Sequence, residues 1–258
     1  MRSKVLLAIL LLPFLFSCVN SRKATYFNDL GDNASFATIE IPEPIIQQND
    51  LLSITVSSLN PEASRIFNLP NQSEVRSSTP TGDVMEPAGY LVDKDGMIRF
   101  LMLGAVKAEG LTKSQLQNNL RNALLSRKLL VDPVVEVRFL NFRVTVLGEV
   151  TRPTVITVPG EKISLLEALG LAGDVTIYGK RDNVLVIREE AGKRITTRVN
   201  LNSNEIFTSP YYYLRSNDIV YIEPNKARVA GATRLNQLLP ALISALSVVV
   251  IVVDRLAQ

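Results

Sequence analysis

Val144-Thr145-Val146-Leu147-Gly148-Glu149-Val150, followed by Thr154-Val155-Ile156-Thr157-Val158 and then Ser164-Leu165-Leu166-Glu167, decides the fold class. The first two stretches alternate apolar and polar residues over short runs rich in β-branched side chains, the pattern of paired strands. The third has Ser followed three residues later by Glu, so each side chain can satisfy a backbone N–H at a helix start. The spacing predicts a short helix through Leu169, ended by Gly170 and Gly173. Further strands are expected at Asn183–Arg188, Thr196–Leu201 and Asp218–Ile222. A strand pair, a short helix and more strands form an α+β unit, with the helix laid across a mixed sheet.

A second unit precedes it. Leu51-Leu52-Ser53-Ile54-Thr55-Val56 alternates as a strand. Residues 60–88 carry repeated Pro among Ser, Thr and Asn, which predicts a long loop with one short helix near Glu62–Phe67. Tyr90-Leu91-Val92 and Met97-Ile98-Arg99-Phe100 flank Asp93-Lys94-Asp95-Gly96 as strand, turn, strand, with Gly96 supplying the positive φ of a tight turn. Thr112-Lys113-Ser114-Gln115 is a second capping box, and Leu116, Leu120 and Leu124 fall on one face of the helix it opens. That helix should end near Arg127, before Asp132-Pro133, and Val134–Phe139 alternates as a strand. Asn49-Asp50-Leu51 is echoed by Asn217-Asp218-Ile219; two ordinary strand starts and a true duplication both account for it.

The chain opens with Arg2 and Lys4, an apolar run from Val5 to Phe16, and Leu15-Phe16-Ser17-Cys18. A basic start, a short apolar stretch and a small residue at the cut describe a secretory signal, too short to span a bilayer. Cys18 is the only cysteine, so no intrachain disulfide can form and stability has to come from a packed core. Losing Arg2 and Lys4 would remove most of the formal net charge of +3, leaving no basic excess for nucleic acid. Histidine is absent, which excludes Ser-His-Asp and Cys-His nucleophilic sites and the usual zinc ligand sets. Asp93/Asp95 and Glu189-Glu190 are carboxylate pairs of the kind a glycosidase uses, but each lies in a turn where acids are simply solvated. Tyr211-Tyr212-Tyr213 could stack on sugar rings or be partly core. No catalytic residue, metal ligand or cofactor site is expected, and no enzyme activity.

The apolar stretch Leu238 to Val253 would make roughly 24 Å of helix. It admits three readings: a core helix, a plain membrane anchor, or a helix that joins copies of itself into a pore. Ala241, Ser244 and Ser247 lie near one face as small residues that let helices approach, while Leu238, Val248 and Ile251 would meet lipid or neighbours.

Taken in order, these segments resemble an outer-membrane polysaccharide export protein of the Wza type. The residues that carry the likeness are Asn49–Ile54, Val92–Ile98, Leu103-Gly104, Gly110-Leu111-Thr112 and Asp132–Val137, behind Leu15–Cys18, which looks like a lipobox. Val144–Val150, Leu165–Leu171 and Ala172-Gly173 resemble an SLBB domain, a β-grasp module. The chain departs from the family at Leu101-Met102, Pro153-Thr154 and Asp174, where Pro, Pro-Gly and a second Gly are usual.

The resemblance implies a signal peptide over 1–17, with Cys18 lipidated, and a lipid-anchored tether of little structure over 18–45. An export domain over 46–141 and one SLBB-like domain over 142–225 would follow, then a C-terminal transmembrane helix within 226–258. It implies an oligomeric ring in the outer membrane, lipid-anchored, with its bulk in the periplasm. Such a ring exports capsular or exopolysaccharide, driven by an inner-membrane co-polymerase or tyrosine-kinase-type partner, with membrane lipid as a further contact and no nucleic acid. A periplasmic scaffold lipoprotein that binds carbohydrate or protein is the other reading.

Overall fold

The computed structural model describes residues 24–37, 43–71, 75–79, 82–85, 88–190, 192–231 and 234–256. Cys18 and the expected signal segment lie outside them.

Strand β1 (Leu51–Ser57) buries Leu52, Ile54 and Val56 on one face. Asn60 caps helix α1 (Pro61–Arg65), which runs into a 3-10 turn over Ile66–Asn71. Within the expected loop the chain forms a hairpin, β2 (Val75–Thr79) with β3 (Gly82–Met85), so 60–88 is not loop throughout. Strands β4 (Tyr90–Leu91) and β5 (Met97–Phe100) flank the predicted turn, and Gly96 has φ +73°. They do not pair with each other. β4 pairs with β1, and β5 with β6 (Gly104–Lys107).

Helix α2 (Lys113–Ser126) has the predicted capping box, with Thr112 and Gln115 bonding reciprocally, and it buries Leu116, Leu120 and Leu124. It packs on β7 (Val134–Phe139), which pairs antiparallel with β1 from Leu52↔Phe139 to Ser57↔Val134. β4 covers only the first residues of β1's other edge. Two side-chain amides finish that edge. Asn71 accepts from the Ile54 N–H and donates to its carbonyl, and Asn68 does the same at Val56, each amide standing in for a strand. Phe67 and Tyr90 stack on Phe100 at 5.8 and 5.3 Å beneath this sheet. The buried Tyr90 hydroxyl donates to the Phe67 carbonyl.

The second unit is a five-stranded mixed sheet in the order β12-β11-β14-β8-β9. β8 (Arg143–Gly148) pairs with β9 (Thr154–Thr157) as a hairpin. The chain then passes through β10 (Ile163–Ser164) into α3 (Leu165–Leu171), capped by Ser164 and Glu167 as the sequence predicts. β11 (Gly179–Glu190) and β12 (Lys193–Val199) form a second hairpin. β13 (Tyr213–Leu214) pairs with β10, and β14 (Ile219–Pro224) returns between β11 and β8, parallel to β8. Gly148 (φ +92°) allows the closest approach of β14 to β8, because a Cβ there would stand 2.1 Å from the Ile222 carbonyl oxygen. The fold is α+β, with one core running through both units.

The Asn-Asp echo is a real geometric repeat. Asn49 and Asn217 both adopt left-handed backbone, at φ +65° and +66°. Asp50 accepts from the Gln47 N–H at 2.7 Å, and Asp218 from the Arg215 N–H at 2.8 Å. Each Asp N–H returns to the same residue's carbonyl at 3.2 Å.

Two expectations are corrected. The segment before residue 45 is not a bare tether: residues 24–37 dock on the second unit, through Phe27 N–H to the Leu201 carbonyl and Asn28 N–H to that of Asn202. At the other end, α4 (Lys226–Gly231) leads to α5 (Arg234–Leu256), expected to be a transmembrane helix. Among the described residues no helix is long and apolar enough to cross a membrane. The physical reason is length. Arg234, Asn236 and Gln237 open α5, and Asp254 and Arg255 close it. The apolar stretch between them covers about 24 Å, against about 30 Å of bilayer hydrocarbon.

Candidate functional site

The helix residues expected to build a pore, Leu238, Ala241, Ser244, Ser247, Val248 and Ile251, all lie exposed on α5. The two hydroxyls turn back on their own helix: Ser244 donates to the Pro240 carbonyl at 2.9 Å and Ser247 to that of Ser244 at 2.7 Å. They are therefore spent locally, in the back-bonding that Ser and Thr commonly make inside helices.

The carboxylate pairs do not form a catalytic dyad. Asp93 accepts the Asp95 and Met97 N–H groups, both at 2.9 Å, and so builds its own turn. Glu190 pairs with Arg215 at 2.9 Å, and the hydrogen bond from that guanidinium holds its carboxyl below the usual range. Among the described residues no group of His, Cys, Asp or Glu could hold a metal ion.

Two sites are built by long-range contacts. The first is the junction between the units. Asn141 donates to the Asn49 carbonyl at 3.0 Å and accepts the Leu51 N–H at 2.9 Å, pinning the start of β1 to the connecting segment. Phe139 and Phe142 pack edge to face across it at 6.5 Å. Glu161, in left-handed backbone at φ +55°, accepts the Phe139 N–H at 2.8 Å and pairs with Lys113 at the start of α2. One carboxylate of the second unit thus holds a strand and a helix of the first.

The second is an aromatic layer with cations over it. Phe207 lies on a 3-10 turn (Asn204–Thr208) and meets Phe27 at 4.9 Å, Phe36 at 5.0 Å and Tyr212 at 6.0 Å. Tyr212 packs edge to face on Tyr213 at 4.9 Å. Lys162 stands 4.9 Å over Tyr213, Arg188 4.8 Å over Tyr211 and Arg181 5.2 Å over Tyr26. A cation over an aromatic face is attracted by the ring quadrupole, more strongly when desolvated. Arg188 is also buried against Asp218 in a two-pronged ion pair. The Tyr211–Tyr213 rings are thus engaged within the protein, as the partly-core reading expects. Burial, helped by the hydrogen bond to Asp174, pushes the Tyr26 hydroxyl up to about 12.

Beside Lys162 a groove of about 490 Å³ runs along β9 and α3, walled by Ile156, Val158, Pro159, Ile163 and Leu171. Glu167 on its rim is taken up by Ser164, whose N–H and hydroxyl it accepts at 2.7 and 2.8 Å, and these bonds hold its carboxyl low. An apolar wall with its lysine already engaged over Tyr213 suits protein contact better than a hydrated sugar, which needs several convergent polar groups.

Sequence reasoning missed Glu161, Asn141, Arg181 and Tyr26, because each acts on partners far along the chain. The Asn-Asp echo was a visible signal for Asp218 and Asp50.

Comparison with known proteins fits this architecture. The family described as polysaccharide biosynthesis/export protein matches residues 40–140, and the SLBB domain family matches residues 143–198. The EPS I polysaccharide export outer membrane protein EpsA of Ralstonia solanacearum is 27% identical over 188 residues, covering 70% of this chain and 48% of that protein. The protein of the same name from Ralstonia nicotianae (strain ATCC BAA-1114 / GMI1000) is 30% identical over 146 residues, 55% of this chain and 37% of its own. The chain spans about half the length of the first relative and just over a third of the second. Residues 40–140 thus match an export-protein family and residues 143–198 an SLBB family, in that order along the chain, and both matches fall on the segments that resemble a Wza-type polysaccharide export protein.

Proposed function

We propose that this protein is an outer-membrane export lipoprotein whose copies assemble into a ring that passes capsular or exopolysaccharide from the periplasm to the cell surface. Cys18 carries the lipid, the bulk of the chain stands in the periplasm, and an inner-membrane co-polymerase or tyrosine-kinase-type partner supplies the drive. The chain does no chemistry in this reading and needs no cofactor. The observation that carries it is the order of the two units, export domain then SLBB domain, joined by a built junction at Asn141 and Glu161. The relatives' names, polysaccharide export outer membrane proteins, support the location and the cargo class.

The test has two readouts. Cells lacking the protein should lose surface polysaccharide and retain it in the periplasm, with recovery by the native chain and not by Cys18→Ser. The detergent-extracted protein should show the mass of a discrete oligomer by light scattering corrected for bound detergent. A monomer at high concentration, together with normal surface polysaccharide in the deletion, would sink the reading.

A further inference from the structure

The sheet of the SLBB unit is covered on one face and open on the other. Val146, Val220 and Val186 form a buried cross-strand row toward the core. The residues that alternate with them point the other way. Val155, Ile219 and Ile187 lie along one row of that second face, and Leu147, Tyr221 and Leu185 along the next. All six keep some exposure, Leu147 42% and Val155 53%, and none of them packs against the core. Glu223, paired with Lys180 at 2.9 Å and Arg198 at 2.8 Å, puts a charged rim on this face. An apolar centre with a polar rim is the anatomy of an interface.

Helix α5 has the complementary need. Its described side chains are all exposed, and the element it packs on is α4. Leu238, Leu242 and Val249 fall on one stripe at helical spacing, opposite Ser244 and Ser247. The helix is not long and apolar enough to cross a membrane, so a bilayer span does not bury that stripe. Its own chain does not bury it either. Helix α4 is held at the strand ends, where Arg228 pairs with Glu149 at 3.0 Å and lies over Tyr178, and the Asn225 N–H donates to the Tyr178 carbonyl at 2.7 Å. From that anchor α5 stands off its own sheet.

We propose that α5 of one copy lies across the open sheet face of the next, its Leu238, Leu242 and Val249 stripe seated on Leu147, Tyr221 and Leu185. This contact presupposes the ring read above and is one of the joints that would build it. The dimensions agree. Five strands make a face about 19 Å across and strands of six residues about 20 Å long, against about 24 Å of apolar helix. Each copy gives one helix and receives one, a head-to-tail contact of the kind that closes into rings. A helix about 10 Å wide leaves a footprint of roughly 240 Å² on each partner. Given and received together, each copy is involved in about 1,000 Å² of covered surface, the lower bound of specific interfaces.

Cys18 is the only cysteine, and acylation blocks it, so an introduced cysteine is a unique reactive thiol. Two full-length chains with different tags, one carrying Leu185→Cys and the other Val249→Cys, are made in the same cells, extracted in detergent and treated with a short bismaleimide. A product bearing both tags is expected, and it can only join two copies. Chains with no introduced cysteine should give none. Leu147→Lys/Val155→Lys changes two exposed side chains of the face. It should abolish the mixed product and lower the oligomer mass several-fold, with an unchanged circular dichroism spectrum. An oligomer that yields no mixed product overturns the contact and leaves the ring standing. So do products that join only Val249→Cys to Val249→Cys, and a cross-link that forms only within a chain carrying both cysteines. A native chain that is monomeric removes the ring reading and the contact with it.

Discussion

Glu161 of the SLBB unit accepts the backbone N–H of Phe139, the last residue of β7 in the export unit, at 2.8 Å. The same carboxylate pairs with Lys113, and its side chain is only 10% exposed. Glu161→Ala leaves a partly buried strand N–H unsatisfied and removes the partner of Lys113. A loss of about 1–3 kcal/mol follows from stranding such groups. The expected result in urea is a lower midpoint and a split into two transitions as the units uncouple. Glu161→Gln, which keeps an acceptor for Phe139, should retain a single transition. Identical unfolding of the native and Ala chains would show that the junction does not depend on this residue.

Arg188 and Asp218 form a buried ion pair at 2.6 Å, with side chains 5% and 1% exposed. Removing one partner of such a pair strands the other charge and costs about 3–5 kcal/mol. Asp218→Asn should therefore destabilise strongly. The double change Arg188→Met/Asp218→Asn should cost clearly less than the two single changes summed, since it leaves no orphan charge. Additive losses in denaturation would mean that the pair is not coupled.

Asp50 occupies the equivalent turn but has no cation at its carboxylate among the described residues, and burial raises its pKa from 3.8 to about 6. The folded state therefore holds this proton more tightly than the unfolded chain does. The contribution favours folding below about pH 4 and is lost as pH rises through about 6, the reverse of an ion-paired carboxylate. Its size is on the order of 3 kcal/mol, since one pKa unit is worth about 1.4 kcal/mol. Asp50→Asn can still accept the Gln47 N–H, so it should flatten the stability profile between pH 4 and 6 and raise stability at pH 7. A profile unchanged by the substitution would assign the pH dependence to other groups.

Gly148 is the point of closest approach between the parallel strands β8 and β14. Gly148→Ala would place a methyl 2.1 Å from the Ile222 oxygen in backbone that already strains any L side chain. A loss of at least about 2 kcal/mol is expected, by breaking the pairing rather than by opening a cavity. Thermal unfolding checks it, and a melting temperature within a degree of the native value would count against this reading of the sheet.

What was legible in the sequence is what short-range physics determines. Both capping boxes, Thr112 with Gln115 and Ser164 with Glu167, join residues three apart and form as predicted, because no distant partner is needed. The strands at β1, β7, β8, β9 and β14 follow from alternation, and the order of these motifs already pointed to the family. Beyond the β8–β9 hairpin, which the sequence predicted, which strand meets which was not legible. β4 and β5 flank one turn yet do not pair with each other: β5 closes a local hairpin with β6, while β4 joins β1 far back in the chain. The amides of Asn68 and Asn71 that finish the β1 edge, the Glu161 junction and the docking of Tyr26 and Phe27 all depend on groups brought together by packing. The fate of Leu238–Val253 shows the limit most plainly. Hydropathy left three readings open and the family resemblance pointed to a membrane span, but span length is set by the polar residues at both ends of α5, which leave too little apolar helix to cross. Local pattern determined the elements of this protein, and tertiary structure decided their pairing, their junction and where residues 24–37 are held.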